Sequence, residues 1–179
     1  MSRMEKMVGV AGGTVWAEDT GGSGAPVVLL HPGIGDSRIW DPIVPRLSAR
    51  YRLIRYDARG HGASPPATAP YTLLDDLIVV LDQLDVPRAT FVGCSQGGAS
   101  SIDLALAQPE RVSALVLGDI KAPAVLLVGD RDYPPLIECD AAIAARIPGC
   151  RTIDVPGGDH LLPLRVPDLV AETIEQFAG

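Results

Sequence analysis

The sequence predicts an α/β protein: a mostly parallel sheet flanked by helices, built as a single domain over residues 1–179. Three observations predict it. Short apolar blocks, Val27–Leu30, Ala114–Leu117 and Ala124–Val128, are bounded by Gly, Pro or Asp, as suits parallel strands covered on both faces. Between the blocks, Leu73, Leu77, Val80, Leu81 and Leu84 recur at helical spacing, so strands and helices alternate. Residues 89–98, Ala-Thr-Phe-Val-Gly-Cys-Ser-Gln-Gly-Gly, read as a strand running into a sharp turn, and an alanine-rich helical stretch follows at once.

Taken in order, Val8–Val10 and Thr14–Ala17 around Gly12-Gly13 predict a hairpin, followed by a Gly-rich loop at Thr20–Gly24. A strand is expected at Pro26–His31, a loop at Pro32–Ser37 and a short helix around Pro42–Ala49. Arg52–Tyr56 is the next strand, and Gly60–Pro70 is a loop rich in Gly, Ala and Pro. Thr72 caps a helix to Leu84 with Asp75 three residues on, and Pro87 closes it. After the strand at 89–93 comes a helix over Ala99–Gln108, ended by Pro109. Val112–Gly118 and Ala124–Gly129 are two more buried strands. A helix at Asp140–Arg146, a strand at Cys150–Val155 and an amphipathic helix at Asp168–Phe177 complete the chain.

The formal charge of −7, with no lysine or arginine cluster, argues against a nucleic-acid partner. No apolar run approaches the roughly 18 residues that cross a bilayer, and the first residues lack the apolar stretch of a secretory signal, so a cytoplasmic location is expected and no membrane partner. Cys94, Cys139 and Cys150 are odd in number and lack metal-ligand spacing, and read as reduced thiols. No metal or organic cofactor is implied, since Gly21-Gly22-Ser23-Gly24 is not followed by the Lys-Ser/Thr of a phosphate-cradling loop.

Gly93-Cys94-Ser95-Gln96-Gly97 is G-x-S-x-G between a strand and a helix. Such a turn forces its serine into a strained conformation, and the positions two before and two after must lack a Cβ to avoid collision. Ser95 then stands exposed beside the first free N–H groups of the helix, which stabilise a developing oxyanion. A serine hydroxyl is a poor nucleophile until a base takes its proton. Of the three histidines, His31, His61 and His160, only His160 follows the serine, in the chain order Ser, acid, His that this turn implies. The acid that orients the imidazole is drawn from Asp132, Asp130 and Asp119; Asp132 is favoured because Asp130, attached to the strand end, also suits a capping role.

With these motifs in order, the chain resembles the α/β-hydrolase fold superfamily, of the type that includes carboxylesterases and 3-oxoadipate enol-lactonases. The matching residues are His31-Pro32-Gly33, the run Tyr56 to Ser64, Gly93 to Gly98, Gly129 to Asp132, and Gly158-Asp159-His160. The resemblance implies Ser95 as nucleophile, Asp132 as acid, His160 as base, and an oxyanion hole from the backbone N–H groups of Gly33 and Gln96. It implies structural roles for His31 and His61. Trp40 is expected to line the pocket or to pack in the core. The activity implied is hydrolysis of a small ester or lactone through an acyl-enzyme, with perhydrolase, C–C hydrolase and acyl-transfer chemistry using the same triad. The alternative is a catalytically impaired, shortened scaffold with a binding or assembly role.

The chain departs from that family after Val116-Leu117-Gly118-Asp119, where Lys121-Ala122-Pro123 leads almost directly into the next strand, leaving no room for a lid or a crossover helix. Parallel neighbours need a crossover of about a dozen residues. The link at 119–123 spans about 17 Å fully extended, roughly one strand length. One expectation is exchange of residues 121–179 between chains, giving a domain-swapped homodimer with sites shared between subunits; the others are an edge strand, a slipped register or a damaged site. A lidless cleft further predicts short-chain, soluble substrates and no interfacial activation.

Overall fold

Along the central blocks, alternate side chains point to opposite faces of a sheet. Here both faces are apolar because both are covered. In a computed structural model, which describes residues 3–116, 124–145 and 149–177, eight strands form one sheet. They are β1 (Met4–Val10), β2 (Gly13–Asp19), β3 (Pro26–Leu30), β4 (Arg52–Tyr56), β5 (Ala89–Gly93), β6 (Val112–Val116), β7 (Ala124–Gly129) and β8 (Arg151–Val155). The spatial order is β1-β2-β4-β3-β5-β6-β7-β8. The β1–β2 hairpin joins β4 antiparallel, and every later pairing is parallel. The sequence-based fold class is thus the observed one.

The helices are α1 (Val44–Leu47), α2 (Leu73–Gln83), α3 (Gln96–Ala107), α4 (Pro134–Ala144), α5 (Leu162–Arg165) and α6 (Pro167–Phe177). Thr72 caps α2 as expected, its side chain accepting from Asp75 N at 3.0 Å. On one face, Val28, Ile54, Phe91 and Leu115 pack with Leu77 and Leu81 of α2 and Leu104 of α3. On the other, Val27, Leu29, Leu53, Val92 and Val116 pack with Leu47 of α1 and Ile174 of α6. Burying a side chain of this kind stabilises by about 1.5–3 kcal/mol, and this two-sided core holds the strand ends in place.

Three helices differ from expectation: α3 starts at Gln96, directly after the serine, and not at Ala99. α4 starts at Pro134 and not at Asp140, because prolines that read as a break are tolerated in the first turn. α5 is an additional short turn, also with proline near its start. Among the described residues, β7 pairs with β6 through Leu115↔Ala124 and Val116↔Val125. It then runs beside β8 from Val125↔Arg151 to Gly129↔Val155. The link itself, residues 117–123, lies outside the described residues, and with it Asp119 and the expected absence of a lid and crossover helix.

Candidate active site

β5 delivers Ser95 to the carboxyl edge of the sheet, and α3 leaves from the next residue. Ser95 adopts φ 50° and ψ −114°, a region that L-residues rarely enter. The surroundings leave no room for side chains on the flanking glycines. A Cβ on Gly93 would collide with the Gly97 backbone, and a Cβ on Gly97 with the Leu30 carbonyl of β3. The turn also tightens through Gly97 N donating to Cys94 O at 2.9 Å. Ser95 is exposed, and its hydroxyl has no hydrogen-bond partner among the described residues.

The loop after β3 carries Gly33 against the start of α3, close enough that a Cβ on Gly33 would collide with the Gln96 side chain. Neither Gly33 N–H nor Gln96 N–H donates a hydrogen bond among the described residues. Two unclaimed amide donors, one at the start of α3 and one in the loop packed against it, suit a developing oxyanion, though neither Gly33 nor Gln96 is among the residues lining the cavity that holds Ser95. The histidines that do not belong to this pair hold the loop. His31 Nδ1 donates to Pro32 O at 2.8 Å while its Nε2 accepts from Ala58 N at 2.9 Å, which fixes one neutral tautomer. Burial keeps its pKa below the ordinary histidine value. His61 Nδ1 donates to Gly35 O at 2.9 Å. Asp57 joins the two loops, accepting from Ser37 N at 2.8 Å and from Ala63 N at 2.9 Å. This aspartate lies within the run Tyr56 to Ser64 that carries the family resemblance, though the sequence reading assigns it no role; its place one residue past β4, ahead of Arg59-Gly60-His61-Gly62, is the signal that marks it.

On the other side, the loops after β7 and β8 bring Asp132 and His160 together, with His160 Nδ1 2.9 Å from Asp132 Oδ2. Asp130 is used otherwise: its Oδ1 accepts from Gly157 N at 2.7 Å, tying the histidine's loop to the strand end. His160 also meets the serine turn through its backbone, whose carbonyl accepts from the Cys94 thiol at 3.4 Å. The imidazole and the Ser95 hydroxyl line the same cavity but make no hydrogen bond to each other. Cys94 is buried, and burial together with the charge of Asp132 pushes its thiol up to about 12, so it is a neutral packing group and no rival nucleophile. The side chain of Cys139 lies outside the described residues.

The cavity holds about 330 Å³ and is walled by apolar side chains, among them Val92, Ile102, Leu126 and Leu136. Trp40 lines it and is also 1% exposed, so the pocket and core roles expected for it coincide. One lining group escaped sequence reasoning altogether: Asp140, on α4, whose position inside a helix carried no motif. Burial, and then the nearby Asp132 charge, raise its carboxyl pKa, and His160 opposes them. No helix among the described residues is long and apolar enough to cross a membrane.

A family model described as the alpha/beta hydrolase fold matches residues 25–179. The chain is similar to 3-oxoadipate enol-lactonase 1 of Acinetobacter baylyi, 32% identical over 114 residues that cover 62% of this chain and 43% of that protein. It is similar also to the pimeloyl-(acyl-carrier protein) methyl ester esterase of Nitrosomonas europaea, 40% identical over 99 residues, 55% of this chain and 38% of that protein. The chain thus spans about two fifths of the length of these relatives. The solved enol-lactonase from Burkholderia xenovorans LB400 matches with a TM-score of 0.88 at 20% identity, over 96% of this chain and 99% of that one, a likeness of fold.

Proposed function

The chain belongs to the alpha/beta hydrolase fold family, and from that premise we propose that it is a serine hydrolase cleaving short-chain carboxylic esters or lactones through an acyl-enzyme. One observation carries the reading: Ser95 holds the strained, exposed conformation of a nucleophile in the cavity that also contains the hydrogen-bonded Asp132–His160 pair. In this scheme Ser95 Oγ attacks the substrate carbonyl while His160 Nε2 takes its proton. Asp132, accepting from Nδ1–H, stabilises the imidazolium. The N–H groups of Gly33 and Gln96 receive the oxyanion. His160 then protonates the leaving alkoxide, and the same base activates water to release the acyl group. The bond from Oγ to Nε2 forms in the substrate complex; catalytic hydrogen bonds are often unmade in empty sites. A cavity of 330 Å³ is at the small end of ligand pockets, which supports a short acyl group. The relatives named as lactonase and esterase support the same class. The scheme draws only on groups that the chain supplies.

The unmade Ser95–His160 bond favours a second reading, a shortened scaffold with an impaired site and a binding role. Hydrolysis of p-nitrophenyl acetate separates the two. Ser95→Ala and His160→Ala are each expected to lower kcat/KM by at least about 10³-fold, and a fluorophosphonate probe is expected to label Ser95. Equal rates for parent and Ser95→Ala, with no labelling, leave the scaffold reading standing alone.

A further inference from the structure

We propose that Asp140 sets the charge preference of this cavity, disfavouring substrates that carry a carboxylate and accepting neutral or amine-bearing ones; the inference rests on the serine-hydrolase reading above. Three aspartates line the cavity. Asp132 is bonded to His160. Asp159 is bonded to Arg165 Nε at 2.7 Å and to Leu161 N at 3.0 Å, so its charge is matched by a neighbour. Asp140 has neither a hydrogen bond nor an ion pair among the described residues, and it is the one lining carboxylate still open to a ligand. It follows Leu136 by one helical turn, which puts both on the face of α4 that borders the cavity.

No lysine or arginine lines the cavity among the described residues. The interior therefore presents the carboxylate of Asp140 with no cation beside it, next to that of Asp132 on His160, within apolar walls that weaken solvent screening. A substrate carboxylate placed there meets repulsion from both. A quaternary or protonated amine finds a counter-ion in Asp140 while Asp132 stays occupied with His160. Asp140 takes no part in the proton transfers; it acts on which substrate is bound.

Three p-nitrophenyl esters of matched size test this: trimethylammoniobutyrate, its uncharged tert-butyl isostere, and the monoester of adipate. The parent enzyme is expected to show kcat/KM at least about tenfold higher for the cationic than for the anionic ester. In Asp140→Asn that ratio is expected to fall to within about threefold, and Asp140→Glu is expected to restore it. A parent ratio near one, or a ratio that survives in Asp140→Asn, overturns the inference. The neutral ester guards the underlying reading. If it is not turned over, or is turned over equally by Ser95→Ala, the hydrolase assignment fails instead. Should Asp140→Asn not fold, inhibition of the parent decides: tetramethylammonium is expected to bind more tightly than acetate, and any other order overturns the inference.

Discussion

Replacing Ser95 with glycine is expected to abolish turnover and yet stabilise the fold. The serine sits at φ 50° and ψ −114°, where a residue with a Cβ is held at a cost of order 1–3 kcal/mol. Its side chain is exposed and its hydroxyl makes no hydrogen bond among the described residues, so truncation forfeits neither burial nor a polar contact. Glycine enters this region without steric cost. Against that, glycine widens the unfolded ensemble by about 0.4–1 kcal/mol. The net gain is about 1–2 kcal/mol, or roughly 2–8 °C in Tm for a chain of this size. Ser95→Ala keeps the Cβ and hence the strain, so its stability is expected within about 0.5 kcal/mol of the parent. Urea unfolding followed by circular dichroism on the three proteins measures both differences. A Ser95→Gly protein no more stable than Ser95→Ala refutes the claim that strain is stored at this turn.

Asp132→Asn is expected to reduce kcat by about 10²–10⁴-fold on p-nitrophenyl acetate by removing the acceptor that fixes the imidazole, whereas Asp130→Asn, which loses only the bond to Gly157 N, is expected to stay within about tenfold of the parent. His31 is held below its ordinary pKa by burial, so between its folded and unfolded values the unfolded chain binds the extra proton; this share of stability is complete above about pH 6.5 and is lost as pH falls. The urea midpoint is accordingly expected to fall from pH 7 to pH 5, and His31→Gln to flatten that slope; an unchanged slope in the variant removes His31 as its source. Mixing unfolded Ser95→Ala and His160→Ala chains and refolding them together tests exchange of residues 121–179. One chain already contains all three residues in one cavity, so activity is expected to stay at background; recovery of roughly a quarter of the parental rate would establish a swapped dimer with shared sites.

The parts of the site legible in the sequence are those set by local sterics. Gly93 and Gly97 flank Ser95 because a Cβ on the first meets backbone four residues on and a Cβ on the second meets backbone one strand over, and that constraint is written into five consecutive letters. The choice between Asp130 and Asp132 is of another kind. Both sit in one short turn after β7, and what separates them is that Asp130 faces the Gly157 amide while Asp132 faces the imidazole, a matter of how two loops from different strands meet. Asp140 was illegible for the same reason, since α4 reaches the cavity only through the placement of β7.

The pairing of β7 depends on a three-dimensional premise that chain length alone does not supply. A five-residue link cannot retrace a strand, but that argument assumes neighbours that lie level. β6 lies level with β5, through Phe91↔Leu115 and Val92↔Val116, and among the described residues β7 meets β6 at Leu115 and Val116 and pairs with β8 over Val125 to Gly129. Register of this kind is fixed by which apolar faces are covered, here by α6 packing against β6 while Val125 and Leu127 share a core with Val116 and Ile174. From Val125 to Gly129 β7 runs level with β8 from Arg151 to Val155, so the loops that follow the two strands leave the sheet together and Asp132 meets His160 there.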